Sequence, residues 1–376
     1  MLQLETELKK RSYRPGEHTC FVITDPKPRE VWAANFRDRV VHHLLIANLE
    51  PIWEKKFIFH SFACRKNKGA HKGVRCLKKT LITASGNSTK PIFFLQADIY
   101  NFFVSIDKQI LFSLIKKNFH NRDILWLCQK VLFQNPTHNF VVKSDKKLFK
   151  LIPKHKSLFS APPGKGLPIG NLTSQFFANL YLNELDQFAK HKLKSKWYFR
   201  YMDDFVLLHN SKKQLLLWRK EIAHFLQKEL KLKLHSKKQV LQPAANGVNW
   251  LGYIVKPDYI LSRKRVVSSL KRKLFSFNKK LGFQINARPE EKQTLKLPLL
   301  FPDNLPSLDF VEKARATVNS YYGHFQHGSC FNLRKQIYYR HFRELQSFLC
   351  PASKDFSHFI IKESYLNLLK QKKENF

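Results

Sequence analysis

Trp197-Tyr198-Phe199-Arg200-Tyr201-Met202-Asp203-Asp204-Phe205-Val206-Leu207-Leu208 is the stretch that decides the fold. Its two arms are aromatic and β-branched runs of strand length, which predicts a β-hairpin with two adjacent carboxylates at the turn. Like charges side by side on an otherwise apolar hairpin repel, and each carboxylate has to be hydrated, paired or bound to a cation. Taken alone, an Asp-Asp pair is an ordinary solvent-facing turn.

A third carboxylate has the surroundings to join them. Pro91-Ile92-Phe93-Phe94-Leu95-Gln96-Ala97 has the pattern of a buried strand and ends at Asp98, followed by Ile99-Tyr100-Asn101-Phe102-Phe103 and a helical pattern from Ile106 to Ile115. An Asp at the end of a central strand can face the hairpin turn. Three carboxylates from two strands can hold two divalent ions about 3.5–4 Å apart, the spacing that clamps the attacking and leaving oxygens of a phosphoryl transfer. Magnesium suits a site whose ligands are all oxygen.

These two stretches resemble a reverse transcriptase. Tyr201-Met202-Asp203-Asp204 is similar to that family's signature box, and Asp98 with Phe102-Phe103 resembles its first catalytic motif. Gly166-Leu167-Pro168-Ile169-Gly170-Asn171-Leu172-Thr173-Ser174-Gln175 narrows the resemblance. Its Ile-Gly-x-x-x-Ser-Gln form is like that of diversity-generating retroelement enzymes, where retroviral and group II intron enzymes usually carry Gln-Gly-x-x-x-Ser-Pro. The resemblance spans about residues 36–345. It implies an α+β right-hand polymerase: an antiparallel-sheet palm, fingers and an all-helical thumb. It also implies RNA-templated DNA synthesis, with Asp98, Asp203, Asp204 and the Ile99 backbone carbonyl holding two Mg2+ ions.

The same resemblance assigns the remaining candidates. Arg65, Lys68, Phe103, Ile169, Gly170 and Gln175 are expected around the incoming dNTP. Phe103 would set its ring against the sugar 2′ carbon and exclude a hydroxyl there, while Phe102 reads as core. A family lysine near the leaving pyrophosphate matches Lys238, with Lys237 the alternative, and could act as general acid; on the residues alone either is a surface lysine. Val248-Asn249-Trp250-Leu251-Gly252-Tyr253 resembles the primer grip, with Trp250, Leu251 and Gly252 at its centre. The expected partners are template RNA, cDNA and the RNA–DNA duplex, dNTPs and a basic oligomeric accessory variability protein. A retron-type or other bacterial reverse transcriptase, such as one used in phage defence, is the same-fold alternative. Met202 stands where retrons usually have Ala, and no Val-Thr-Gly precedes the thumb.

Composition points the same way. The formal charge is +39, from 67 Lys plus Arg against 28 Asp plus Glu, which marks a polyanionic partner and salt-sensitive binding. Six cysteines form no Cys-x-x-Cys pair, so they read as reduced thiols of a cytoplasmic protein, neither zinc ribbon nor disulfide frame. Neither a signal peptide nor a run of membrane-spanning length is expected, and so no membrane.

In order, residues 1–35 read as an irregular, partly extended lead-in and 36–90 as fingers. Residues 91–255 read as palm with a finger insertion at about 116–165, and 256–376 as helical thumb and tail. Phe36, Val40, Leu44, Leu45 and Leu49 predict a fingers helix, and Phe57 to Ala63 a strand. Arg65 to Gly73 forms a basic, glycine-containing loop that can fold over phosphates, and equally reads as a solvated basic turn. Lys212 to Leu234 predicts an amphipathic helix. Residues 259–289 hold nine Lys or Arg and no acid, with Val267, Leu270, Leu274, Phe277 and Leu281 as the apolar seam of a helix suited to a duplex backbone. Pro289, Pro298, Pro302 and Pro306 then predict a loop.

Overall fold

The computed structural model describes residues 2–25, 27–282 and 305–374; the loop expected at Pro289, Pro298 and Pro302 falls outside them. The chain divides into two compact units, Met1–Ala244 and Ala245–Phe376. The first carries β1 (His18–Ile23), β2 (Arg29–Ala34), β3 (Phe93–Ile99), β4 (Phe140–Val142), β5 (Trp197–Tyr201), β6 (Asp204–His209) and β7 (Leu234–Pro243).

A four-stranded antiparallel sheet of order β5-β6-β3-β7 is its centre. Strand alternation puts Leu95, Ala97 and Ile99 on one face, where they join Tyr198, Phe205 and Leu207 in the main core. Phe94, Gln96 and Asp98 take the opposite face. The helix Leu172–Gln187 underlies the core face; twelve of its sixteen residues are buried, Phe176, Phe177, Leu180 and Leu185 among them, so it is enclosed on every side. The helices Lys108–Asn118 and Lys212–Leu230 pack into the same core, and the second ends at Lys231 in the left-handed conformation.

The lead-in is more ordered than its prolines suggest. It contains the helix Leu2–Lys9 and the β1–β2 hairpin, to which β4 adds in parallel. Pro15-Gly16 and Pro28 only bracket the two strands, whose alternating burial puts Cys20, Val22, Trp32 and Ala34 inside. The helix expected from Phe36, Val40, Leu44, Leu45 and Leu49 runs Phe36–Glu54, with Asn35 capping its N-terminus. Its buried face runs through Val41, Leu45, Leu49 and Trp53, while Phe36 and Leu44, expected in the seam, are exposed. The strand expected at Phe57 to Ala63 is a series of turns with one bridge, Ser61 to Arg200. Its aromatic rings serve single contacts in place of a pleat: Phe57 against Trp53 and Phe176, Phe62 stacked on Phe199.

The second unit holds β8 (Val248–Trp250), β9 (Tyr253–Val255) and β10 (Ile260–Ser262) in one antiparallel sheet. The helix Lys264–Lys280 follows, burying Leu270 and Leu274 as the seam requires. It packs with the helices Leu308–Phe325 and Phe331–His341 around a core of its own. This unit is mainly helical but not entirely so, because β11 (Leu349–Pro351) pairs with β12 (Phe359–Ile361). No helix among the described residues is long and apolar enough to cross a membrane.

The small sheet is tied to the Gly166–Gln175 segment: Trp32 N donates to Ile169 O at 2.7 Å and Ala34 N to Asn171 Oδ1 at 3.1 Å. Gly170 sits there at φ +124, where a Cβ would come within 2.8 Å of Val31 Cγ1 and 3.0 Å of the Trp32 carbonyl oxygen. Gly164, at φ +73, has nothing within 4 Å of such an atom. Gly170→Ala is therefore expected to cost about 1–3 kcal/mol of strain plus the clash, and to lower the Tm more than Gly164→Ala. Equal Tm losses for the two variants would contradict the close packing.

Candidate active site

The register of β3 against β6 sets Asp98 directly opposite Asp204. β5 ends at Tyr201 and β6 begins at Asp204, so Met202 and Asp203 alone form the connecting turn. Ile99 N donates to Asp203 O at 3.2 Å, which closes the turn onto the end of β3. A register shift between Ala97 and Ile99 follows on the β7 side. The expected hairpin is thus present, and sheet pairing brings its two carboxylates to Asp98.

Each carboxylate is handled differently. Lys238 Nζ lies 2.7 Å from Asp98 Oδ2, so of the two exposed lysines 237 and 238 it is Lys238 that stands beside the carboxylates. The Gln96 amide nitrogen is 3.0 and 3.2 Å from the two oxygens of Asp204. Burial raises the carboxyl of Asp203 to about 6, with the charge of Asp98 adding to the rise. Burial raises Asp204 to about 7 against the pull of the Gln96 amide, and Asp203 and Asp98 push the same way as burial. Among the described residues no three His, Cys, Asp or Glu side chains already converge as a closed metal cage. The donors at this corner are all oxygen, the chemistry that suits a hard divalent cation, and a cation held there would relieve the mutual repulsion of the carboxylates.

Other candidates fall into place unevenly. Phe103 is half-buried, edge-on to Phe102 at 5.5 Å, and its carbonyl accepts from Leu167 N at 2.9 Å. That bond joins the segment after Asp98 to the one carrying Ile169, Gly170 and Gln175; Ile169 is half-buried and the other two are exposed. Arg65 is an internal strut. Its guanidinium grips Glu54 through Nε and Nη2 at 2.8 Å and donates from Nη1 to the carbonyls of Ile58 and Ser61 at 2.7 and 2.9 Å. Those bonds leave it poorly placed to receive a triphosphate. Lys68 sits with its Nζ 3.5 Å above the Phe59 ring, donating to Phe59 O at 2.8 Å. Partial burial lowers its pKa, and the charges of Arg65 and Lys72 contribute. In the second unit Trp250 is buried, and Leu251 and Gly252 form the tip of the β8–β9 hairpin, both at positive φ (51 and 90).

Two features of the site were missed in the sequence. Gln96 stands two residues before Asp98 in an otherwise apolar strand, hence on the same face, and that spacing was the available signal. Arg200 stands inside the hairpin arm with its charge fully buried against Asp186; a charge in an apolar strand signals a partner elsewhere.

The family model described as reverse transcriptase (RNA-dependent DNA polymerase) matches residues 24–255, well over half of the chain. The chain belongs to the reverse transcriptase family. Protein YkfC of Escherichia coli (strain K12) is 24% identical over 302 residues, covering 71% of this chain and 74% of that protein. The group II intron-encoded protein LtrA of Lactococcus lactis subsp. cremoris is 21% identical over 292 residues, covering 61% of this chain and 45% of that protein; the present chain spans under half of its length. A solved apo telomerase from Candida tropicalis overlays 96% of this chain and 67% of its own at 11% identity, with a TM-score of 0.49, too low to build on.

The raised carboxyls give a stability prediction. In the fold Asp203 and Asp204 keep their protons up to about 6 and 7, whereas the ordinary value is 3.8. Between those values the unfolded chain binds fewer protons than the folded one, so without divalent cation stability falls as pH rises from about 4 to 7. Asp204→Asn removes one of the two groups. The metal-free variant is expected to melt a few degrees above the native protein at about pH 8, a difference that closes toward about pH 4. Equal melting at the higher pH would contradict the buried-charge account.

Proposed function

We propose that this reverse transcriptase makes error-prone, adenine-mutagenic cDNA from a template-repeat RNA, as part of a system that diversifies a target gene. The observation that carries the reading is the segment Ile169-Gly170-Asn171-Leu172-Thr173-Ser174-Gln175, with a branched apolar side chain at 169. A glutamine there can hydrogen-bond near the templating or incoming nucleotide and so tie catalysis to correct geometry. Isoleucine can only pack. Discrimination by packing is worth about 1–3 kcal/mol, whereas a site that must satisfy a polar group rejects the wrong ligand far more strongly.

In this reading the chain's residues divide the work. Asp98, Asp203, Asp204 and the Ile99 carbonyl would hold two magnesium ions, which supply charge stabilisation for the attacking and leaving oxygens when bound. Lys238, already beside Asp98, is the general acid for the leaving pyrophosphate. Phe103 closes off the sugar 2′ position and selects dNTPs, and Lys68 is the remaining fingers candidate for the triphosphate, since Arg65 is engaged with Glu54. Trp250, Leu251 and Gly252 would hold the primer. The charge of +39 suits template RNA and the RNA–DNA duplex, and a basic oligomeric accessory protein is the expected partner in such a system.

The test is to copy an RNA of mixed sequence with native protein and with Ile169→Gln, then sequence the cDNA. Native cDNA is expected to carry misincorporations concentrated opposite adenine, and Ile169→Gln to reduce them at comparable activity. Accurate native cDNA would overturn the reading and leave a retron-type or other bacterial reverse transcriptase. Unchanged error spectra would remove Ile169 from the account.

A further inference from the structure

The geometry points to Arg200 as the positioning residue of the carboxylate turn: its bond to the Met202 carbonyl fixes the peptide that aims Asp203. This inference rests on the reading of Asp203 as a catalytic carboxylate.

The guanidinium is completely buried, with its side chain 0% exposed. Burying that charge is tolerated only if every N–H finds an acceptor, and all five do. Nε donates to Asp186 Oδ1 and Nη2 to Asp186 Oδ2, both at 2.7 Å. Nη2 also donates to Ser61 Oγ at 3.0 Å, and Nη1 to Asn179 Oδ1 and to Met202 O, both at 3.1 Å. The acceptors are themselves fixed. Tyr198 OH donates to Asp186 at 2.9 Å, and the Asn179 amide nitrogen donates to Ala63 O at 2.6 Å, which turns its oxygen toward the arginine.

Four of these five bonds reach the helix Leu172–Gln187 or the loop at Ser61. The fifth reaches into the turn. Met202 has φ +53, a left-handed conformation that a residue with a side chain holds only when its surroundings impose it. The hairpin's own pairing of Tyr201 with Asp204 leaves the Met202 carbonyl outside the ladder. Arg200 supplies its partner, and Ile99 N supplies the partner of the next carbonyl, that of Asp203. Both peptides flanking Asp203 are thus held from opposite sides.

Lysine tests this, because it keeps the charge for Asp186 but its single nitrogen cannot also span to Met202. The chain has two methionines, Met1 and Met202, so labelling with 13C-methyl methionine puts one internal probe in the turn itself. In Arg200→Lys we expect a folded protein that binds primer–template duplex within about twofold of native and keeps its dNTP KM within about threefold. The single-turnover incorporation rate should fall by about 100-fold, the scale of a small misplacement at a reacting centre, and the Met202 methyl resonance should shift or split. Ser61→Ala, which removes one bond of the network but not the turn contact, should leave both rate and resonance near native. If Arg200→Lys does not fold, Asn179→Ala takes its place, removing the other acceptor of the same Nη1, with a smaller rate loss and a shifted Met202 methyl expected. A native rate and an unmoved resonance in the folded variant would overturn the inference. Asp203→Ala run alongside separates the two readings: if it extends primer normally the carboxylate assignment fails, and if it is inactive while Arg200→Lys is normal only the arginine assignment fails.

Discussion

Three carboxylates share one corner of the four-stranded sheet, and much of the first unit can be understood as what it takes to keep them there. Asp98 and Asp204 face each other because β3 and β6 pair in that register, and Asp203 occupies the turn one residue away. Burial and mutual repulsion both oppose ionisation of the hairpin pair. The fold answers with neighbours of matching chemistry: an amide on Asp204, an ammonium on Asp98 and a saturated guanidinium behind the turn. None of these neutralises the corner. In the proposed reading a divalent cation would relieve that strain, and the stability given up without metal would be the counterpart of affinity for one.

Support for the corner comes from elements distant in sequence. Asn179 and Asp186 project from the helix Leu172–Gln187 to Arg200, and the same helix begins at the Gly166–Gln175 segment. That segment is held by Trp32 from β2 on one side and by the Phe103 carbonyl on the other. β2 is thereby tied through Ile169 to the start of the buried helix. Such a chain of hydrogen-bonded and packed groups explains why a lead-in hairpin, remote from the carboxylates in sequence, belongs to the same compact unit.

Much of this was legible in the residues. The hairpin and the strand ending at Asp98 follow from apolar runs of strand length, and the seam from Leu270 to Leu274 from helical periodicity. The misreadings have physical causes. In the lead-in, Pro15, Gly16 and Pro28 outweighed the alternation in His18–Ile23 and Arg29–Ala34, although prolines at strand ends are compatible with strands. Phe57 to Ala63 has strand composition, but its rings anchor separately and its backbone makes a single bridge. The basic loop at Arg65 to Gly73 gives no sign in sequence that Glu54, on the preceding helix, claims the Arg65 guanidinium. Arg200 and Asp186 pair only through tertiary packing, which no local pattern displays.

The central claim is that Asp98, Asp203 and Asp204 act as one divalent-cation site, and counting bound ions tests it most directly. Mn2+ would be titrated, with paramagnetic resonance reporting free ion, into protein bearing a primer–template duplex and a non-hydrolysable dNTP analogue. The account predicts that the native complex takes up about two ions more than the duplex alone holds, and that Asp98→Ala and Asp203→Ala each lose at least one. Identical uptake by native protein and both variants would contradict it.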